Sequence, residues 1–401
     1  MNEQIYKLNG SIQHYAWGGY DFIPDLLGIE NFDHDTYAEL WLGAHPKAPS
    51  LAHLNGEPVA LSKLIDADPE KMLGPKIAEQ FGGHLPFLFK VLDARDMLSI
   101  QVHPSKSQAE NRFEREEASG IPLDSASRNY KDKNHKPEVH VALTDFWMLH
   151  GFRPEEEIAD TLHLIPEFVP LLSTLESEGL AGLYAEIMRA PQTRIDDLLK
   201  PLLNRLSTKD IDDKDNPDFW AKRAAETFPL PDGHIDRGIL SIYLLNLLHL
   251  KPGESTFQAA GVPHAYLFGT TMELMANSDN VLRGGLTSKH IDVDELLNTV
   301  EFRGSKPEII QGKQINQAEK LFPAPAPDFQ LSEIRLSKNQ SYEQNSGHGP
   351  DILMVLQGQL DVKSEESISS FSRGDAFFVP DALPYGLEAT QPSMLFRASV
   401  P

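Results

Sequence analysis

Cysteine is absent from the 401-residue sequence. This absence excludes disulfide bonds, thiolate nucleophiles and thiolate metal ligands, and it leaves histidine, carboxylate and amide groups as the side-chain ligands for a metal ion. The sequence also lacks an apolar run of the roughly 18 residues that a membrane span needs, and residues 1–10 contain no apolar stretch typical of a secretion signal. We therefore expect a cytoplasmic protein that does not enter a membrane.

Basic residues are scarce as well. Lys and Arg total 36 against 59 Asp and Glu, and the formal net charge is −23. A surface of this sign repels nucleic acid and anionic membranes, because binding a phosphate backbone requires a basic stripe, and the sequence contains none. The same charge repels an anionic metabolite, so a phosphorylated substrate would need a local group of cations. We expect a monomer whose partner is a small molecule.

The apolar pattern predicts a mainly β protein with a helical insert. Residues 10–151 consist of short apolar runs cut by Gly, Pro and Asn, with one helical stretch expected from Ser62, as N-cap, to Gln80. From 154 to about 220 the apolar residues recur at spacings of three and four, which predicts inserted helices. A sequence pattern typical of strands returns at Ile239 to Leu250, and a short helix is expected from Val293 to Val300.

These patterns indicate two small β-barrels with Gly and Pro at their corners. The expected catalytic barrel is discontinuous and comprises residues 1–152 and 234–300. Residues 153–233 form the helical insert between its two parts. Residues 301–401 contain a linker rich in Pro and Lys, followed by a second barrel that we expect to be non-catalytic.

A weak internal repeat accompanies the two expected barrels. Gly253 and Gly374 each stand in a Gly–acid turn, and each is followed ten residues later by a proline. His264 follows the first proline, whereas Tyr385 follows the second. We therefore expect the second barrel to lack a metal ligand that the first one keeps.

Four polar residues on expected strands could bind a metal ion. In the alternating run from Met97 to His103, the side chains of Gln101 and His103 face the same side. Glu138 lies on the polar face of another expected strand, and His264 opens a further one. Two imidazoles, one carboxylate and one amide oxygen suit a divalent ion of the Zn²⁺ type with exchangeable water positions.

Each of these residues, taken singly, is better interpreted as a satisfied polar group at the mouth of a barrel. We interpret His140 and His150 in this way. A metal site requires that the fold bring the four candidates together.

Four cations stand in acidic or apolar surroundings: Lys90, Lys136, Arg283 and Lys289. Lys90 interrupts the apolar run from Phe87 to Leu92, where a lysine is costly unless it is paired or serves a site. Arg283 lies in a polar loop with glycines that can bring the backbone near a ligand. Together with the candidate metal ligands, these cations predict a metalloenzyme that binds an anion.

Several stretches resemble one known family. Residues 129–138 read NYKDKNHKPE and contain, without a mismatch, the Y-x-D-x-N-H-K-P-E signature of the type I phosphomannose isomerases, which are zinc enzymes of the cupin fold. Residues 264–283 are similar to the second long signature of that family, and residues 99–104 to its first metal-binding strand. Shorter N-terminal motifs are also similar, and the resemblance covers about residues 10–300.

The resemblance implies a fold and an activity. The fold would be two cupin-type (jelly-roll) barrels plus a helical domain. The activity would be the reversible isomerisation of mannose 6-phosphate and fructose 6-phosphate, which links mannose metabolism with the supply of GDP-mannose. It also implies one zinc ion per chain, with the ligands Gln101, His103, Glu138 and His264.

The resemblance further implies that Arg283 is the active-site arginine. It places four more residues in the substrate pocket, which are Ser99, Lys90, Lys136 and Lys289. Tyr266 and Asp279 are also expected to contact the substrate. Two positions in the loop after Arg283 depart from the family pattern, with Gly284 where alanine is usual and Ser288 where proline is usual.

An aldose–ketose isomerase moves a proton between C1 and C2 through a cis-enediol. A metal ion can stabilise the developing oxyanion, and so can Arg283, whose guanidinium stays protonated. The reaction also needs a base. Lys136 is the leading candidate, because a nearby metal cation disfavours the charged form of a lysine. His135, Asp279 and a water molecule at the metal are the alternatives.

Two other functions are compatible with parts of the pattern. A cupin oxygenase would use a His/His/carboxylate set with open positions for O₂ at ferrous iron, but the amide of Gln101 and the cations Arg283 and Lys289 argue against it. A sugar-phosphate sensor would keep the pocket without turnover. The retention of all four ligands together with Arg283 favours the enzyme.

Overall fold

Antiparallel strands predominate in the computed structural model of the chain, which describes residues 4–54, 56–345, 347–365 and 367–401. The strands are β1 Tyr6–Asn9, β2 Ser11–Gln13, β3 Glu39–Gly43, β4 Leu51–Leu54, β5 Glu57–Ala60, β6 Phe87–Ala94, β7 Gln101–Val102, β8 Glu138–Ala142, β9 Phe146–Phe152, β10 Leu245–Leu250, β11 Ser255–Gln258, β12 His264–Ala276, β13 Leu282–Arg283, β14 Lys313–Gln314, β15 Glu319–Phe322, β16 Gln330–Leu336, β17 Ser341–Gln344, β18 Asp351–Gln357, β19 Gln359–Lys363, β20 Ile368–Ser372, β21 Ala376–Val379, β22 Tyr385–Ala389 and β23 Ser393–Ser399.

Five of the eleven α-helices found in the described residues, including the two longest, lie between β9 and β10. The helices are α1 Phe22–Leu27, α2 Leu61–Ala67, α3 Pro69–Leu73, α4 Pro75–Gln80, α5 Lys106–Ala118, α6 Glu155–Leu164, α7 Leu172–Arg189, α8 Gln192–Ser207, α9 Pro217–Thr227, α10 Gly238–Leu244 and α11 Val293–Leu297, with 3₁₀ turns at Pro166–Leu171 and Pro231–Gly233. The prediction of a mainly β protein with helices inserted near 154–220 is confirmed. No helix in the described part of the chain is both long and apolar enough to cross a membrane.

Strand β12 pairs with four other strands in the first β region, which is the ten-stranded sheet formed by β2, β3 and β6 to β13. Its first half pairs with β9 and β7, and its second half pairs with β6 and β8, and these pairings make it part of that sheet. Almost every residue of β12 is buried, which explains why its sequence shows no simple alternation. The His264 end of β12 and the middle of the strand therefore both meet several other strands.

The second β region shares a sheet with the N-terminus. Nine strands run in the order β14-β15-β16-β23-β18-β21-β1-β4-β5. The second β region also contains a separate four-stranded sheet, with the order β17-β22-β19-β20. In β1, Tyr6 pairs with Phe378 and Leu8 with Ala376 of β21. Residues from both β regions, including Phe89 and Phe396, belong to one buried apolar cluster.

The helices between β9 and β10 form a separate apolar core with β7 and the residues just before it. Leu183, Leu202 and Trp220 are fully buried there with Ile100 and Val102. The helix α7 bends at Gly179, whose φ of 66° lies in the left-handed region. The helical residues thus pack behind β7, the strand that bears Gln101.

One helix was expected from Ser62 to Gln80, but the structure has three short ones. Pro69 and Pro75 each occupy the first turn of a new helix, because proline cannot donate to the preceding turn. Ser62 lies inside α2, whose N-cap is Ala60 without a side-chain hydrogen bond. The prediction of a single helix capped by Ser62 is therefore wrong.

The expectation of only one helical stretch within residues 10–151 is also wrong, since α1 and α5 lie there too. Ser105 and Gln108 form a capping box at the start of α5, in which each side chain accepts the backbone N–H of the other residue. The Ser-x-x-Gln spacing is a sequence signal for a helix start. This helix was therefore predictable.

The strand expected from Ile239 to Leu250 is a helix in its first half. Gly238–Leu244 form α10, and the strand β10 begins only at Leu245. All seven residues of α10 are buried. A fully buried apolar run shows neither the helical nor the strand period, so its pattern could not distinguish the two.

The strand expected from Met97 to His103 is reduced to Gln101–Val102. The residues before it belong to no strand or helix and make isolated backbone hydrogen bonds, in which Leu98 N–H donates to the carbonyl oxygen of Tyr266 and Ile100 N–H to that of Gly285. The other expected strands at Phe87–Leu92 and Pro137–Leu143 correspond to β6 and β8, and the expected helix at Val293 corresponds to α11.

Candidate active site

Three buried side chains meet at one end of β12. His103 follows β7, Glu138 opens β8 and His264 opens β12. His103 Nε2 lies 3.3 Å from Glu138 Oε1, and His264 Nε2 lies 3.3 Å from Oε2 of the same carboxylate. Among the described residues this is the only group of three His, Asp or Glu side chains with ligand atoms within 4.8 Å of one another.

Backbone carbonyls orient the two imidazole rings. His103 Nδ1 lies 2.9 Å from the carbonyl oxygen of Asn280, and His264 Nδ1 lies 3.0 Å from that of Val262. These contacts assign the proton to Nδ1 in both rings, so each Nε2 keeps its lone pair on the side of the shared carboxylate. Carbonyl partners of this kind are typical of histidines that bind a metal.

The protonation state of His103 suits the same role. Burial, reinforced by the positive charge of Lys136, lowers the pKa of His103 to about 4, so the ring is neutral near pH 7. Its Nε2 is buried and has no hydrogen-bond partner among the described residues. A neutral imidazole with a free lone pair next to a carboxylate fits a zinc ion.

Strand pairing places Gln101 beside this group. In the register of the sheet, Gln101 is opposite His264 of β12 on one side and opposite Arg283 of β13 on the other. The short strand β7 thus lies between the two predicted functional segments.

A cavity of about 950 Å³ is lined by Gln101 and Lys136, the neighbours of the His–Glu–His group. Seven of the residues predicted for the site line this cavity, namely Lys90, Ser99, Gln101, Lys136, Asp279, Arg283 and Lys289. The remaining four, His103, Glu138, His264 and Tyr266, are buried and are not among the lining residues. The structure therefore brings all eleven predicted residues to one region.

Lys136 connects the cavity with the candidate metal ligands. Its Nζ lies 3.1 Å from Glu138 Oε1, and the residue is 9% exposed. The lysine is therefore held next to the carboxylate while part of its surface faces the cavity.

Lys90 is paired, as its buried position requires. Its Nζ lies 2.9 Å from Glu273 Oε2 and 3.6 Å from Glu39 Oε1, and Trp41 covers it at 5.6 Å from the ring centroid. Glu273 and Trp41 are the residues opposite Lys90 on the two neighbouring strands. Sequence reasoning missed these carboxylates, although the cost of burying Lys90 was a reason to search for an acidic partner.

Tyr266 is connected to the cavity through this pair. Its hydroxyl donates to Glu273 Oε1 at 2.6 Å, on the carboxylate that also accepts from Lys90. Burial and the charge of Glu273 raise the pKa of Tyr266 well above its usual range, so the hydroxyl keeps its proton.

Asp279 lies on the cavity wall between two basic groups. Its carboxylate is 2.7 Å from Lys47 Nζ and 3.6 Å from His45 Nε2. Burial alone would raise the pKa of Asp279, but the contacts with His45 and Lys47 outweigh it and hold the pKa well below its usual range. The carboxylate is therefore ionised near neutral pH and is a weak proton acceptor.

Arg283 and Lys289 provide positive charge that no acidic side chain of the described residues neutralises. Neither side chain makes an ion pair or a side-chain hydrogen bond within the described part of the chain, and both line the cavity. Burial lowers the pKa of both groups, and for Lys289 the charge of Arg283 adds to this effect. An anion that entered the cavity would satisfy two cations at once.

The signature at 129–138 is held against the loop that leads to Arg283. Asn280 is fully buried, and its side-chain oxygen accepts the N–H of Lys131 at 2.7 Å. Its amide nitrogen donates to the backbone oxygens of Asp132 and Asn134 at 2.8 and 2.9 Å. These bonds fix the segment that ends in Lys136 and Glu138.

His140 and His150 have the protein partners expected of satisfied polar groups. His140 Nε2 lies 2.6 Å from Thr256 Oγ1, and His150 Nε2 lies 3.2 Å from the carbonyl oxygen of Phe257. Both residues therefore have local contacts that account for them without a metal.

The cavity also has walls for which no site role was predicted. Phe228, Pro229 and Leu230, which follow α9, form an apolar part of the wall. Other lining residues without a predicted role are Tyr15, Trp17, Glu39, Trp41, His45, Arg95 and Asp96. Nothing in the local sequence around 228–230 indicated proximity to the site, because only the tertiary packing of the helical region brings it there.

Comparisons with known proteins agree on one family. Residues 5–155 match the family model described as "Phosphomannose isomerase type I, catalytic domain". The chain is 38% identical over 380 residues to mannose-6-phosphate isomerase of Escherichia coli (strain K12), covering 93% of this chain and 94% of the relative. It is 32% identical over 428 residues to the Homo sapiens mannose-6-phosphate isomerase, with 98% of each covered.

Solved structures give the same result. The crystal structure of mannose 6-phosphate isomerase from Salmonella typhimurium bound to its substrate and a zinc atom is 37% identical, with a TM-score of 0.88 and 99% of each chain covered. A glutamate-to-alanine variant of phosphomannose isomerase from the same organism has a TM-score of 0.90 at 37% identity, also over 99% of each chain.

Proposed function

This chain belongs to the type I phosphomannose isomerases, and we propose that it interconverts mannose 6-phosphate and fructose 6-phosphate at the cavity beside His103, Glu138 and His264. One observation carries this assignment most directly. In a protein of net charge −23, Arg283 and Lys289 have no ion-pair partner among the described residues, and they line the same cavity as Gln101 and Lys136, which adjoin the metal candidates. The site thus combines an anion-binding wall with a metal-binding one.

We infer that Gln101, His103, Glu138 and His264 hold one zinc ion per chain. The three ionisable ligands converge on one point, and the strand register puts Gln101 opposite His264. Bound there, zinc would supply Lewis acidity to the oxygens on C1 and C2 of the sugar.

The phosphate group is assigned to the wall formed by Ser99 and Lys289. Gly284 N–H donates to the carbonyl oxygen of Ile100, and Ile100 N–H donates to Gly285, so the segment of Ser99 and the loop of Lys289 run side by side. This leaves Arg283, opposite Gln101, nearer to the metal candidates. Its guanidinium is suited to stabilising the negative charge of a cis-enediolate without losing its own proton.

Lys136 is the residue that we assign as the base. It lines the cavity and lies next to Glu138. Asp279 is less suitable, because His45 and Lys47 keep its carboxylate a weak proton acceptor. His135 is turned toward Asp328, 2.7 Å from its Nε2, and does not line the cavity. In its neutral form, Lys136 Nζ would take the proton from one carbon and return it to the other.

Lys90, Tyr266 and Asp279 are assigned to substrate contacts. Lys90 and Asp279 line the cavity directly, while Tyr266 acts through Glu273. The carboxylates of Glu273 and Glu39 keep Lys90 charged in a buried position, since they raise its pKa despite an opposing effect of burial. Lys90 can therefore donate to a sugar hydroxyl at any physiological pH.

Several broader features complete the proposal. We propose that the two β regions are cupin-type barrels, with residues 1–152 and 234–300 catalytic, 153–233 a helical insert and 301–401 a linker and non-catalytic barrel. The protein is proposed to act as a cytoplasmic monomer in mannose metabolism, upstream of GDP-mannose. Its substrate is a small sugar phosphate rather than a nucleic acid or a membrane.

A coupled assay for fructose 6-phosphate formed from mannose 6-phosphate tests the function. Turnover that a chelator abolishes and Zn²⁺ restores is expected. His264→Ala should lose zinc and turnover together, whereas His140→Ala, another buried histidine of the same sheet, should keep its zinc. Absence of turnover in folded, zinc-loaded protein would refute the proposal, and full zinc content in His264→Ala would refute the ligand set.

A further inference from the structure

The loop after Arg283 has a conformation that its own sequence does not favour. Leu286 has a φ of 53°, in the left-handed region that residues other than Gly, Asn and Asp rarely adopt. The residue is fully buried, and Thr287, Ser288 and Lys289 follow it along the cavity wall. Other contacts must therefore hold the loop in place.

The carboxylate of Asp236 supplies these contacts. Asp236 is 4% exposed and lies just before α10, where the chain leaves the helical region. Its Oδ1 accepts the N–H of Gly238 at 2.7 Å and that of Leu286 at 2.9 Å. Its Oδ2 accepts the N–H of Thr287 at 3.2 Å. A single buried side chain thus binds both α10 and the loop.

Two close approaches reinforce this connection. Gly285 packs so tightly against Gly238 that a Cβ on either residue would collide with the backbone of the other segment. A Cβ on Gly284 would lie 2.8 Å from the Tyr184 hydroxyl and 3.2 Å from Ile100. Tyr184 comes from α7 and is 1% exposed, so it has little room to move. The helical region therefore occupies the space that the alanine usual at this position would need.

We propose that Asp236 is a positioning residue for the isomerisation, and that it acts through Arg283. Asp236 does not line the cavity, so it has no direct contact with a substrate there. Asp236 holds the backbone at residues 286 and 287. It thereby fixes the loop 284–289, which follows Arg283 and ends at Lys289. The segment that follows the helical insert thereby contributes to the geometry of the active site, and this inference rests on the proposed function.

A double-mutant cycle tests the proposal. Asp236→Asn replaces one acceptor oxygen with a donor, which cannot accept a backbone N–H. A displacement of Arg283 of about 1 Å would lower kcat by up to about a hundredfold, and we expect a fall of at least about tenfold in the otherwise unchanged enzyme. In an Arg283→Ala background, Asp236→Asn should lower kcat no further, because the residue through which it acts is gone.

The matched control is Asp381→Asn. Asp381 Oδ1 accepts the N–H of Gly349 at 2.7 Å, and Gly349 also has a positive φ, but both residues lie in the second β region. This variant should melt at a lower temperature and keep its kcat per bound zinc. An unchanged kcat in Asp236→Asn, or losses that multiply in the Arg283→Ala background, would overturn the proposal. The unaltered protein must first show turnover, so failure of the function itself would be recognised separately.

A second pair of variants leaves Asp236 intact and tests, even if Asp236→Asn does not fold, the premise that the position of this loop governs turnover. Gly284→Ala should lower kcat, because its methyl group would push the loop away from the Tyr184 hydroxyl. Adding Tyr184→Phe removes that oxygen and should restore most of the lost turnover. Unimpaired turnover in Gly284→Ala, or no recovery on adding Tyr184→Phe, would show that the helical region does not set this loop.

Discussion

Asp93 on β6 is a buried carboxylate for which the chain provides little compensation. It is 9% exposed and accepts a hydrogen bond from Thr270 Oγ1 at 2.8 Å. Gly19 packs against Oδ2 so closely that no Cβ could be accommodated there. Burial raises the pKa of Asp93 to about 6, although the hydrogen bond from Thr270 opposes this effect.

The stability of the protein should therefore depend on the protonation of this residue. In the unfolded chain an aspartate titrates near pH 3.9, whereas the folded protein binds the proton up to about pH 6. The folded state binds more protons between these values, so the free energy of unfolding should fall by about 3 kcal/mol as the pH rises through them. Asp93→Asn should remove this fall, measured by urea unfolding at pH 4 and pH 7.

Asp33→Asn, at an exposed aspartate, is the control for the change in net charge. If Asp93→Asn gained no stability relative to the unchanged protein between the two pH values, the carboxylate would not be desolvated as the structure indicates. Asp93 also illustrates a limit of sequence reasoning. Its residue type indicates a surface position, and only the pairing of β6 with β12 reveals that it is buried.

Strand β12 changes partners at Gly269. Before this residue the strand pairs with β9, with a shift of register between Tyr266 and Phe268, and from Gly269 onward it pairs with β6. Gly269 has a φ of 112°, and a Cβ there would collide with the backbone of Asp145. Because the partners change at this glycine, one strand carries both His264, near the metal candidates, and Glu273, the partner of Lys90.

Gly269→Ala should therefore be strongly destabilising. A positive φ alone costs an alanine about 1 kcal/mol, and the steric overlap should add about 2 kcal/mol. Gly253→Ala is the matched control, since Gly253 has a φ of 89° but, apart from its two chain neighbours, no described residue has an atom within 4 Å of the position of its Cβ. Equal losses of the free energy of unfolding in the two variants would contradict the proposed role of the close packing.

The elements differ in how well their sequences predict them. Strand β8 alternates, so the burial of Val139 and Val141 and the placing of Glu138 in the site could be predicted from its pattern. The helix α10 could not be, because all its residues are buried. Asp236 was not predicted at all. Its importance depends on the N–H groups of Leu286 and Thr287, which follow it by 50 and 51 positions in the sequence. No local sequence pattern indicates such a contact.

The whole molecule depends on contacts between its two β regions. The N-terminal strand β1 pairs with β21 through Tyr6 and Leu8, so the first strand of the chain completes a sheet of the last segment. Phe89 of β6 belongs to the same buried cluster as Phe378 and Phe396. The sequence predicted two barrels from their turn patterns, but it could not predict this contact, because pairing between distant segments leaves no periodic signal.

A chain that ends at residue 327 should therefore not fold as an active enzyme. It would expose Phe89 and leave β1 without β21, and burial of apolar side chains is the main source of stability. We expect no cooperative unfolding transition, no bound zinc and no turnover. As a control, the full chain carrying a protease site between Pro323 and Pro327 should remain associated and active after cleavage, since the packed surface is intact. A truncated chain that unfolds cooperatively and binds zinc would instead show that the first β region is an independent domain.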